Sequence, residues 1–195
     1  TIMAVEDDSG CVADLSGSTG TIQAQVFEVP EANAGSDQEV CNNTTTLQAV
    51  KSISASEGNW TGNGASFSDV SDPGSEVTVD QYGTGKFTWT EINWHCMDSD
   101  EVEVLFNEQP QAPDAGPDQN LDFIYTTHLQ ASTPTVGSGI WTIVSGSGTF
   151  DNDTLPDAVI RDLAVTTTLQ WTIRNGNCPE VSDRVDLLIS PLVIT

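Results

Sequence analysis

Over residues 168–174 apolar and polar positions alternate strictly: Leu169, Trp171 and Ile173 fall on one face, and Thr168, Gln170, Thr172 and Arg174 on the other. A period of two is the signature of a half-buried strand. A second such run covers residues 184–189, where Val185, Leu187 and Ile189 share a face; Asn175-Gly176-Asn177-Cys178-Pro179 between the runs predicts a hairpin-like turn. Upstream, residues 127–132 turn Leu129 and Ala131 inward, residues 140–144 turn Trp141 and Ile143 inward, and residues 158–163 form a further short strand. Turn-rich stretches at 134–139, 145–148 and 151–157 separate them. Helical periodicity is absent. Short strands at this spacing over about 80 residues predict a two-sheet sandwich of immunoglobulin type.

The same plan occurs twice. Ala34-Gly35-Ser36-Asp37-Gln38 returns as Ala115-Gly116-Pro117-Asp118-Gln119, and Trp60, Trp89 and Cys96 return as Trp141, Trp171 and Cys178, every interval being 81 or 82 residues. A fixed period identifies one folding unit used repeatedly. Phe87 and Trp89 stand where Leu169 and Trp171 do, and Val102, Val104 and Phe106 where Val185, Leu187 and Ile189 do. Glu91 replaces Ile173; a carboxylate facing a core is costly unless paired or near the rim, so the strand is expected to reach solvent there. The four recurring tryptophans are expected in the cores.

The predicted organisation is all-β: tandem immunoglobulin-like, PKD-like sandwich domains at residues 31–109 and 110–195. Residues 1–30 would be the closing strands of a preceding or partial module, because Ile22, Ala24 and Val26 alternate before Pro30 as Val102, Val104 and Phe106 do before Pro110. Gln109, Pro110, Gln111, Pro113 and Asp114 read as a short stiff connector.

Charge narrows the partners. Five Lys and Arg against 29 Asp and Glu give a net charge of -24 in 195 residues, which excludes ordinary nucleic-acid binding, since phosphate neutralisation needs clustered cations. No stretch approaches the roughly 20 apolar residues of a membrane helix, so no direct membrane insertion is expected, and any export signal would lie outside this sequence.

Candidate chemistry is sparse. Cys41 and Cys96 are predicted to close a disulfide within the first repeat, worth about 4 kcal/mol on the chain-entropy model, with two separate thiols as the alternative. Cys178 then stands alone, because Asp122 takes the place of Cys41 in the second repeat, and Cys11 needs a partner upstream. A disulfide would place the protein outside the cytoplasm. His95 and His128 are too few for a zinc site. No Ser or Thr has a credible His and Asp setting, and Ser145-Gly146-Ser147-Gly148 lacks the strand-to-helix context of a hydrolase elbow, so no catalytic or cofactor-binding residue is assigned and the chain reads as non-enzymatic. Calcium is the one cofactor weighed: Asp98 and Asp100 with Glu101, and Asp151 and Asp153 with Asp157, offer oxygen ligands in presumed loops without the EF-hand pattern, against the plainer reading of solvated turn carboxylates. Asp37 and Asp118 read either as a metal or hinge contact between domains or as Asx-type turns. Trp94 has no aromatic counterpart, Gly176 standing in its place; it is expected on a loop tip, open to glycan contact or packed locally.

With those motifs laid out, the repeat resembles PKD-like and immunoglobulin-like modules, whose first strand often opens with Ala-Gly-Pro-Asp-Gln. Trp141-Thr142, then residues 145–150, then Trp171-Thr172-Ile173-Arg174-Asn175-Gly176-Asn177-Cys178, is similar to the repeats of SprB-type bacterial surface adhesins, the gliding and attachment proteins exported by the type IX system. The first repeat departs at Asn93-Trp94-His95, and the second lacks the first cysteine. The resemblance implies a non-catalytic, extracellular cell-surface stalk or adhesin segment that supplies reach and multivalent attachment. Its partners would be neighbouring repeats, surface polysaccharide or other cell-surface proteins. The alternatives are a carbohydrate-binding or spacer module of a secreted polysaccharide-degrading enzyme, or a self-assembling surface fibre unit. Thr154, in Asp153-Thr154-Leu155, resembles the O-glycosylation acceptor of that group, and Asn43, Asn59 and Asn152 fit N-glycosylation sequons.

Overall fold

The computed structural model describes residues 27–190 and two short strands near the N-terminus, β1 (Ala4–Glu6) and β2 (Val12–Asp14), which pair antiparallel. Cys11, Ile22, Ala24 and Val26, on which the expected partial module rests, lie outside the described residues. The chain divides into two compact units, Thr1–Phe106 and Asn107–Thr195. Every regular element among the described residues is a strand.

In the first unit β3 (Gln38–Cys41), β9 (Cys96–Asn107), β8 (Gly83–Asn93) and β5 (Glu57–Gly62) form one sheet in that order; β4 (Thr44–Thr46), β7 (Glu76–Val79) and β6 (Ala65–Phe67) form the other. The second unit repeats the arrangement with β10 (Gln119–Asp122), β16 (Val181–Ser190), β15 (Thr167–Arg174) and β12 (Ser138–Ser145) facing β11 (Thr127–His128), β14 (Val159–Arg161) and β13 (Thr149–Phe150). The alternation read from the sequence sets which faces meet. Phe87, Trp89, Val102, Val104 and Phe106 enter one core with Leu47, Trp60 and Val77, while Leu169, Trp171, Ile173, Val185, Leu187 and Ile189 enter the other with Leu129, Trp141, Ile160 and Leu163.

Each core is built around two tryptophans directly opposite one another on neighbouring strands. Trp60 pairs with Trp89 at a ring separation of 5.2 Å, and Trp141 with Trp171 at 5.1 Å; tilted rings at this distance gain beyond their buried area. The close fit requires a glycine two residues before the first tryptophan of each pair. A Cβ on Gly58 would stand 2.0 Å from Trp89 Cζ2, and one on Gly139 2.1 Å from Trp171 Cζ2, far inside van der Waals contact. Ile143 departs from expectation: it shares the register of the inward positions, yet it is 36% exposed, because edge strand β12 bulges between Ile143 and Ser145.

Glu91 requires a correction. It does not reach solvent but is fully buried (0% exposed) on the core face of β8. The loop after Val50 folds over that end of the sandwich and surrounds the carboxylate with donors: Ser52 N–H and hydroxyl at 2.9 and 3.1 Å, Ile53 N–H at 2.9 Å, and the Ser56 hydroxyl. Burial pushes the Glu91 carboxyl up, but these donors together outweigh it and hold the group below the usual carboxylate range. The loop therefore makes tolerable a charge that Ile173 avoids in the other unit.

Candidate functional site

The repeated Ala-Gly-x-Asp-Gln motif is structural. Asn33 and Asp114 make the Asx turns, accepting from Gly35 N–H and Gly116 N–H at 2.9 and 2.8 Å. Asp37 and Asp118 do something else: each carboxylate reaches across to the neighbouring long strand and accepts a backbone N–H, from Glu103 at 2.9 Å and Asp186 at 2.8 Å. In the first unit the pairs Ala32 with Asp98, Ala34 with Asp100, and Glu103 with Asp37 advance together along the chain. In the second, β10 runs parallel to β16 with Gln119 opposite Leu187. The motif thus fastens a parallel edge strand, a pairing between residues some 66 to 68 positions apart.

That register corrects the predicted Cys41 to Cys96 disulfide. β9 rises about 3.3 Å per residue, so Cys96 and Phe106 stand about 33 Å apart. Cys41, four residues beyond Asp37 on the parallel strand, lies towards Phe106. A disulfide needs its Cα atoms within about 7 Å. Cys41, Cys96 and Cys178 are all disulfide-bonded, Cys41 therefore to a cysteine other than Cys96.

The calcium candidates are also placed differently from the loops expected for Asp98 and Asp100. Both lie within β9, where their carboxylates accept the Ala32 and Ala34 N–H groups at 2.9 Å. Asp151 is engaged within its own turn; the Val159 N–H, first among its donors, holds its carboxyl below the usual range. Asp153 gives its carbonyl to Trp141 N–H. Among the described residues no group of three His, Cys, Asp or Glu side chains converges as a metal-ligand set. Thr154 is exposed and its hydroxyl donates to Asn152 Oδ1 at 2.7 Å.

The feature with the most unusual chemistry is the tip of the β8–β9 hairpin. Asn93 donates its amide to the Glu28 carbonyl at 2.8 Å, and Cys96 Sγ lies 3.9 Å from the Phe27 carbonyl oxygen. The second unit does the same with its preceding segment: Asn175 donates to the Glu108 carbonyl at 2.8 Å, and Cys178 Sγ lies 3.5 Å from it. Each sandwich therefore holds the chain that leads into it through an Asn amide of its longest hairpin. Trp94, at the first tip, is 64% exposed and adopts φ +60°, where Gly176 takes φ +51° in the second unit. A left-handed backbone costs a non-glycine residue about 1–2 kcal/mol. Phe27 stacks on the indole with ring centroids 5.1 Å apart and planes inclined by 24°. Beside the ring lies a groove of ≈ 360 Å³ lined by Ala55, Glu57, Ile92, Asn93 and Trp94. A second groove of ≈ 460 Å³ shares Glu57 and Ile92 with it and adds Lys51, Ser56, Gly58, Asn59 and Ser71. The Asn hold was not readable from the sequence, although the recurrence of Asn93 and Asn175 before each late cysteine was its signal.

No family model and no curated protein sequence matches the chain. Solved structures do. Sidekick-1 immunoglobulin domains 1–5 superpose with a TM-score of 0.56 at 13% identity, covering 94% of this chain and 47% of that one. Rst D1-D2 gives 0.52 at 10% identity over 84% of this chain and 100% of its own. The titin I-band fragment I67–I69 gives 0.50 at 13% identity, covering 85% of this chain and 66% of that one. The fold is immunoglobulin-like. At these identities the likeness is one of architecture, and the chain spans about two thirds of the titin fragment and about half of the Sidekick-1 fragment.

Proposed function

We propose that the chain is a non-catalytic segment of a large repetitive cell-surface adhesin, a stalk whose immunoglobulin-like modules supply reach and multivalent attachment. The observation that carries this reading is the recurrence of one sandwich with the same hold on the chain entering it, Asn93 on Glu28 and Asn175 on Glu108. A module that grips its own leader can be added in series without redesign, since each new copy brings its own docking residues. Weak surface contacts then multiply through effective concentration. Three disulfide-bonded cysteines among the described residues support an oxidising compartment outside the cytoplasm. The excess of 24 negative charges suits a soluble outer surface. The ordered Trp-Thr, Ser-Gly and Asn-x-Asn-Cys motifs support the SprB-type, type IX-exported bacterial group and a role in gliding or attachment.

The test is surface display. Cells carrying the full chain on an inert anchor are expected to resist detachment by shear from polysaccharide-coated glass, with resistance rising steeply when two copies are displayed in series. Detachment equal to that of cells displaying an unrelated sandwich domain of similar charge would contradict the adhesive role.

A further inference from the structure

We propose that the β8–β9 hairpin tip of the first module is a binding subsite for a neutral polysaccharide, with Trp94 as its stacking platform. The backbone there carries the first argument. The second module builds the same tip with a glycine, Gly176, in the left-handed region, whereas the first places the largest side chain at φ +60° and leaves most of it in solvent. Strain retained at an exposed position points to use of the side chain rather than to folding. The second argument is rigidity. Phe27 covers one side of the indole and Asn93 ties the tip to Glu28, so the ring is held before any ligand arrives, which lowers the ordering cost of binding.

The surroundings select the ligand class. Two open grooves that share Glu57 and Ile92 in their linings mix apolar walls with an ammonium group from Lys51 and with carboxylate, amide and hydroxyl groups from Glu57, Asn59, Asn93 and Ser71. Sugars present that pairing: C–H faces for a ring and Ile92, and hydroxyls for the polar groups. Each groove lies within the usual ligand-site range of about 300–1,000 Å³. The net charge of -24 turns away sulfated or uronic acid polymers.

The subsite rests on the adhesive reading, but it is tested by binding alone, so display experiments can succeed where this fails. The full chain is titrated with cellohexaose, mannohexaose and xylohexaose and followed by calorimetry and indole fluorescence, with heparin and decaproline alongside. At least one neutral hexasaccharide is expected to bind. Trp94→Ala and Trp94→Gly should weaken it by about tenfold or more, and Trp94→Phe by much less. Trp94→Gly carries the residue with which the second module already folds, and an unchanged circular dichroism spectrum establishes that the variants are intact. The proposal is overturned if no neutral sugar binds at millimolar concentration, if Trp94→Ala binds as the parent does, or if only heparin or decaproline binds in a Trp94-dependent way.

Discussion

Glu91 shows how one residue can have two meanings in sequence and in space. Periodicity places it among the inward positions of β8, and chemistry argues that a carboxylate there must find water; the structure satisfies it with backbone and hydroxyl donors from Ser52, Ile53 and Ser56. Removing the carboxylate orphans those donors, at about 1–3 kcal/mol for each buried group left unpaired. Glu91→Ile, although it imports the residue of the second repeat, is therefore expected to lower the stability of the first unit by about 2–4 kcal/mol in denaturant unfolding, with the second unit unaffected. The pH dependence follows from the lowered carboxyl. The unfolded chain takes up the proton first as pH falls, so the stabilisation is complete above the ordinary Glu value of about 4.3 and drains away as pH drops through the lower folded value. Glu91→Ile should flatten that acid limb; an unchanged limb would show that the buried carboxylate does not govern it. The sequence could not reveal this arrangement because residues 52–56 carry no periodic signal, and only the closed fold brings them over the strand end. Trp94 was legible for the opposite reason: its mismatch with Gly176 is a local comparison.

At the scale of elements, the alternating strands of the two long hairpins, β8 with β9 and β15 with β16, were readable, and so were the turns rich in Gly and Asn between the strands of the second unit. What escaped was long-range pairing. Asp37 and Asp118 announce themselves by recurrence, but nothing in their neighbourhood says that they reach the backbone of Glu103 and Asp186. The partner of Cys41 escapes for the same reason: nothing local tells that β3 follows the register of Asp37 with Glu103 and carries Cys41 towards Phe106, away from Cys96. If the aspartates fasten these edge strands, Asp37→Ala should speed amide exchange at Glu103, and Asp118→Ala at Asp186. Each substitution should cost its own unit about 1–3 kcal/mol. Exchange rates unchanged in both variants would mean that the strands hold without the side chains. Gly58 and Gly139 belong to the same scale: the recurring Gly-x-Trp is visible in sequence, yet its reason is the facing indole on the neighbouring strand.

For the whole molecule, the 81- to 82-residue period stated the essential design, one sandwich made twice, and the two units and their matching sheets follow it. In the proposed reading, function at this scale depends on repetition, because an adhesive stalk would gain from modules that fold and bear load separately. Single-molecule pulling of the full chain with its disulfides reduced addresses that property directly. Two successive unfolding events are expected, each releasing roughly 80 residues and hence about 260–290 Å of extended chain at ~3.3–3.6 Å per residue. One event releasing both units together would contradict a chain of separate modules.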